Sequence, residues 1–196
     1  MTSRRVVLLG AGAILVGLLI WVVGGGLERT DNAPPVSSEA VAEPAMSSEV
    51  PRIAATLFVA STNGLTLAPI LQEVALAEGL VPQGRAILTA QLRSPPPPYR
   101  SVIPEGTQLR AFYVTERGDA FVDLSFETDA RHAGGTSTEL LAVYGIVHAV
   151  TTNLTTIQRV QILIDGREAD TWAGHVDLRR PLEPDMSLVQ GARSAP

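Results

Sequence analysis

The acid–base chemistry open to this chain rests on three histidines, His132, His148 and His175, and a scatter of carboxylates. No two histidines stand at an H-x-x-x-H or comparable ligand spacing, so a metal would need ligands from distant segments. No metal or cofactor is therefore expected, and His148, one turn from Tyr144, reads as a satisfied histidine on a helix face. Ser125, His175 and Asp165 can be drawn as nucleophile, base and orienting acid. No G-x-S-x-G elbow surrounds Ser125, and its strand pattern does not present a hydroxyl as a sharp turn would. Asp123 and Asp177 sit in the sequences VDLS and VDLR. Paired carboxylates serve glycan hydrolysis when about 5–9 Å apart, but strand-edge and turn-capping roles compete for them. Arg179 and Arg180 could grip an acidic partner. No catalytic residue is assigned. Asp123, Ser125, His175, Arg179 and Arg180 stand as interaction candidates.

Composition narrows the chemistry further. Among 196 residues there is no cysteine and no lysine. Disulfides, thiolate nucleophiles, cysteine-ligated metal centres, Schiff-base chemistry and a P-loop are all excluded. The net charge of −5 argues against nucleic-acid binding by phosphate neutralisation.

The elements that would position these residues lie between about 53 and 190, behind a different kind of segment. Arg4 and Arg5 precede an uncharged run from residue 6 to 27, VVLLGAGAILVGLLIWVVGGGL. At about 1.5 Å per residue it reaches roughly 33 Å, one bilayer crossing. The positive residues before it and Glu28 and Asp31 after it predict a cytoplasmic N-terminus and an exported remainder, a single-pass protein of the inner (cytoplasmic) membrane. A cleaved signal peptide is the alternative. Gly10-Ala11-Gly12 lacks the preceding strand of a dinucleotide site. Ala13 and Gly17 form a small-xxx-small pair able to pack two membrane helices. Residues 28–52 are rich in Pro, Ser, Ala and Glu, with five acids and no aromatic residue. They read as a disordered tether with a mean reach of about 25–30 Å. Residues 191–196 are a tail.

Within the exported part, Ile53–Ala60 reads as a strand, followed by the turn Ser61–Gly64. Leu65–Leu76 reads as a second strand, which Pro69 makes irregular or confines to an edge. Pro82 opens a helix to about Leu92, halted by SPPPP at 94–98. Strands at 107–115 and 120–126 flank the ERGD turn, with Val122, Leu124 and Phe126 on the core side. Thr136 and Glu139 have capping-box spacing and open a helix to about Thr151. Arg159–Ile164 is a buried strand ended by the Asp165-Gly166 turn. Asn153-Leu154-Thr155 matches a glycosylation sequon. The order ββα-ββαβ predicts an α+β domain, one mixed β-sheet with two helices packed on one face.

The series IPEGTQLRAFYV (103–114), FVDLS (121–125), ELLAVYGIVHAVT (139–151), VQILIDG (160–166) and GHVDLRRPL (174–182) resembles the GerM-type, or GerMN, domain of spore-germination and related envelope proteins. The membrane run stands where many members carry a lipid anchor. The resemblance implies an interaction and assembly module, similar to ring-building modules of sporulation secretion channels, with no established catalytic residue. It implies a membrane-anchored scaffold in the extracytoplasmic space, with envelope proteins or a second copy as partners. The alternative is a peptidoglycan-binding module or minor cell-wall hydrolase.

Overall fold

The protein is described by a computed structural model that covers residues 50–127 and 135–191. The apolar run 6–27, the linker up to residue 49, His132 and the tail lie outside the described residues. Among the described residues no helix is long and apolar enough to cross a membrane.

Two hairpins and two helices account for most of the chain. β1 (Arg52–Ala60) pairs antiparallel with β2 (Leu67–Ala75) across the Ser61–Gly64 turn. Ser61 Oγ and Asn63 Oδ1 bond each other and the backbone of Thr66 and Leu65, the local bonding by which such side chains make turns. α1 (Leu80–Gln91) follows, ended by the proline run as expected. β3 (Thr107–Val114) and β4 (Asp119–Phe126) form the second hairpin, where Gly118 takes φ +80°, a left-handed conformation that favours glycine. α2 (Thr136–Asn153) leads to β5 (Arg159–Ile164), which lies parallel to β4. β5 turns through Asp165 and Gly166, both at positive φ, into the two-residue β6 (Arg167–Glu168). That turn is the type whose twist matches a hairpin.

The single sheet expected from the sequence is corrected to two: β1-β2, and β3-β4-β5-β6 in that order. The physical reason lies at the outer edge of β1. Its backbone groups bond side chains of the helices instead of another strand. Asn153 Oδ1 accepts from Thr56 N at 2.9 Å and Asn153 Nδ2 donates to Thr56 O at 2.7 Å. Gln91 does the same for Phe58, at 2.9 and 2.8 Å. Ala60 N then donates to Arg100 O. Two side-chain amides thus stand where a neighbouring strand's backbone would stand, and satisfy a buried edge. The linker's last residue, Arg52, is already the first of β1.

α2 is apolar almost all round and sits in the core: Val143, Ile146, Val147 and Val150 are fully buried, against Val122, Leu124 and Val160. Val122 and Leu124 are core residues as the strand alternation requires, while Phe126 is half-buried and stacks on Trp172 at 4.8 Å. α1 packs on β3 closely enough that Gly84 touches the Phe112 ring, where any Cβ would overlap it.

Candidate functional site

Most of the candidate residues are held by neighbours of their own, in separate places. Asp123 is only 5% exposed in spite of its place on the outward face of β4. Its Oδ2 accepts from Arg110 Nε at 3.2 Å and its Oδ1 from Gly166 N at 2.8 Å. A charge buried this far needs such partners; here they lock the β5-β6 turn onto β4. Ser125 is half-buried and lies opposite Gln108 in the β3-β4 register. Asp177, on the exposed segment after Val176, grips Arg179: Oδ1 accepts from the Arg179 amide and Nε, and Oδ2 from Nη2 at 2.8 Å. The Arg179 fork holds the Asp177 carboxyl below its usual range, and the carboxylate raises the guanidinium in return. Both side chains stay exposed to solvent, Arg179 at 67% and Asp177 at 45%.

The drawn Ser125–His175–Asp165 assembly is not formed. His175 Nδ1 lies 2.8 Å from Glu139 Oε2 and uses that carboxylate as its acceptor. Glu139 is the residue the sequence misassigns. Its spacing from Thr136 suggests a capping box, yet the residue at the cap of α2 is Gly135, with no side-chain cap. Instead the carboxylate points into the core side of the 169–176 loop. Oε1 accepts from the amides of Trp172, Ala173 and Val176, and Oε2 from the amide of His175. Burial alone would raise this carboxyl. The backbone amides of Ala173 and Val176, the His175 ring and the His175 amide outweigh it and hold the carboxyl below its usual value. No local pattern signals this role, because the partners lie 33 to 37 residues downstream.

His148 is satisfied, as expected of a histidine on a helix face, and fully buried. The ring packs against Phe58 at 5.1 Å. Nε2 lies 3.0 Å from Asp185 O, which can only accept, so Nε2 carries the hydrogen. Burial pushes the imidazole below its ordinary value; the Asp185 carbonyl and carboxylate oppose this without cancelling it.

What is left open is shallow. Arg180 lines a groove of about 440 Å³ with Arg159, Asp177, Pro181, Leu182 and Glu183. A second groove, about 270 Å³, lies between β2 and α1. Among the described residues no group of three His, Asp or Glu side chains could hold a metal ion.

No curated protein matches the chain. Three solved structures align with it at low identity. A candidate lipoprotein from Clostridium perfringens is 20% identical, with a TM-score of 0.48, covering 69% of this chain and 89% of its own. The first GerMN domain of the sporulation protein GerM from Bacillus subtilis is 18% identical, with a TM-score of 0.47, covering 68% of this chain and 96% of its own. The tandem GerMN domains of the same protein give 17% and 0.47, covering 69% of this chain and 46% of their own. The family model described as Germane, sporulation and spore germination, matches residues 56–170, more than half of the sequence. By that match the chain belongs to the sporulation and spore germination family.

Proposed function

We propose that this protein is a binding module of the bacterial cell envelope, carried on the inner membrane by residues 6–27, which joins other envelope proteins or further copies of itself and performs no catalysis. Family membership supports this reading, since the family is not known for enzymatic activity. The observation that carries it is the state of the candidate side chains. Asp123 with Arg110, Asp177 with Arg179 and Glu139 with His175 form three separate pairs, and among the described residues they do not converge on one groove, Asp177 alone of them lining the groove beside Arg180. A catalytic site brings such groups together around a pocket. A surface that binds proteins leaves them as structure and offers open grooves and edges instead.

The test is a crosslinked pull-down of the tagged full-length chain from native membranes, read by mass spectrometry. The chain holds no lysine, so the crosslinker must be photoactivated and not amine-directed. A defined envelope protein, or crosslinked multimers of the chain, is the expected result. Recovery of neither, with co-sedimentation of the chain on purified cell wall, overturns the reading in favour of a glycan ligand. Protease shaving of intact spheroplasts checks the topology: the domain should be digested, and its protection would reverse the orientation.

A further inference from the structure

Every strand edge in a small sheet must be covered, paired or blunted. Here the edges are treated unequally. The outer edge of β1 is closed by Asn153, Gln91 and Arg100. β5 is covered by β6 and by Leu182, which exchanges both backbone bonds with Val160. β2 is closed only at its ends. Leu67 O accepts from Gln190 N, and Ala75 O accepts from Gln83 Nε2. Between them lie Pro69, Leu71 and Glu73. Thr56 and Phe58 turn their backbone groups away from β2, so their register partners Leu71 and Pro69 turn theirs away from β1. The amides and carbonyls of Leu71 and Glu73 therefore face outward with no partner among the described residues, and the Leu71 side chain is 76% exposed.

Beside this open edge runs the groove between β2 and α1. Gln72 and Val74 form its strand wall, Ala86, Thr89 and Ala90 its helix wall. A separate small cavity of about 10 Å³ shares Gln72, Ala90 and Arg93 with this groove. Arg52 and Arg93 also line the groove, and neither side chain makes an ion pair or hydrogen bond within the described fold. Glu73 is the only acid among the lining residues. A strand added to β2 would send alternate side chains into this groove, where small helix residues leave room and two free guanidiniums favour carboxylates.

We infer that the β2 edge and the β2-α1 groove bind an extended segment of a partner protein, added as a strand, with acidic side chains on the face that meets α1. This rests on the proposed role as a binding module and names the surface and its ligand chemistry. A second copy fits less well. Its β2 would bring Ala68, Ile70, Gln72 and Val74 to that face, with no carboxylate for Arg52 or Arg93, and Pro69 has no amide to donate.

The probe is a blocked peptide, acetyl-Ser-Glu-Val-Glu-Val-Glu-Ser-amide, with the Lys-for-Glu counterpart as control. Binding to the full-length chain in detergent is read by fluorescence anisotropy, and amide hydrogen exchange is read over residues 67–75. The acidic peptide should bind and protect that stretch, and the lysine peptide should do neither. Leu71→Pro removes one outward amide without touching the β1 ladder and should weaken binding about tenfold. Arg93→Glu, at an exposed side chain without partners, should weaken it at least as much and serves where Leu71→Pro folds poorly. Equal binding of both peptides, or unchanged binding by both variants, overturns the inference. So does light scattering that shows a dimer dissolved by Leu71→Pro, because the edge would then belong to a second copy. If the edge fails these tests while the pull-down still recovers a defined partner, the module's role stands and only its docking surface is wrong.

Discussion

Glu139 accepts five hydrogen bonds and is 5% exposed, so it acts as a rivet between the first turn of α2 and the 172–176 loop. Glu139→Gln turns one acceptor into a donor facing other donors. Buried groups left unpaired cost about 1–3 kcal/mol each, so urea unfolding should show a loss of at least about 2 kcal/mol. His148 gives a different signature. An unfolded histidine titrates near 6.5 and the folded one lower, so as pH falls through that window the unfolded chain takes up the proton first. The stability His148 contributes is whole above about pH 6.5 and declines as pH falls towards the folded value, at up to about 1.4 kcal/mol per unit. Urea midpoints at pH 7.5 and 5.5 should show this decline, and His148→Phe should flatten it. From the sequence His148 reads as a satisfied helix residue because it lies one turn from Tyr144 on a helix. The sequence marked Glu139 wrongly because a rivet to a distant loop leaves the same local spacing as a cap.

At the scale of elements, what could be read in advance was whatever local chemistry decides. Gly118 and the Asp165-Gly166 pair set two turns, the proline run ended α1, and the apolar stripe gave α2. The division into two sheets could not be read, because it depends on Gln91 and Asn153 meeting β1 from 33 and 97 residues away. Gln91 is 5% exposed, and Gln91→Leu would leave the Phe58 amide and carbonyl buried without partners. At about 1–3 kcal/mol for each group, this should destabilise more than removal of an exposed glutamine such as Gln108, measured by thermal unfolding. The α1–β3 contact is equally specific. Gly84→Ala would drive a methyl into the Phe112 ring and should cost about 1–3 kcal/mol. Phe112→Leu in the same chain should recover part of that loss, which a simple helix-propensity effect would not allow, since alanine is the better helix former.

For the whole molecule, the distribution of charge and edges matters more than any single group. The buried carboxylates, Asp123 under the β5-β6 turn and Glu139 under the 172–176 loop, both carry structural bonds. The Glu139 carboxyl lies below its unfolded value of 4.5, so its contribution is present above that pH and is lost as pH falls further. The chain should therefore lose stability in two steps on acidification, the first from His148 and the second from carboxylates held low in the fold, Glu139 being the buried one among them. Circular dichroism during acid titration of Glu139→Gln should retain the first step and lose much of the second.

The Asn153 amide lies between the Thr56 backbone and the Ala149 carbonyl, and both its oxygen and its nitrogen are engaged there. The same nitrogen is the atom to which a eukaryotic secretory pathway attaches oligosaccharide at Asn153-Leu154-Thr155. Passage through such a host would set folding and glycosylation in competition for one atom. Molecules that fold first carry no sugar, and molecules modified first cannot seat the amide against β1. Secreted material should therefore be native and of unmodified mass, with the glycosylated fraction retained or misfolded, and Thr155→Ala should raise the yield without altering the fold.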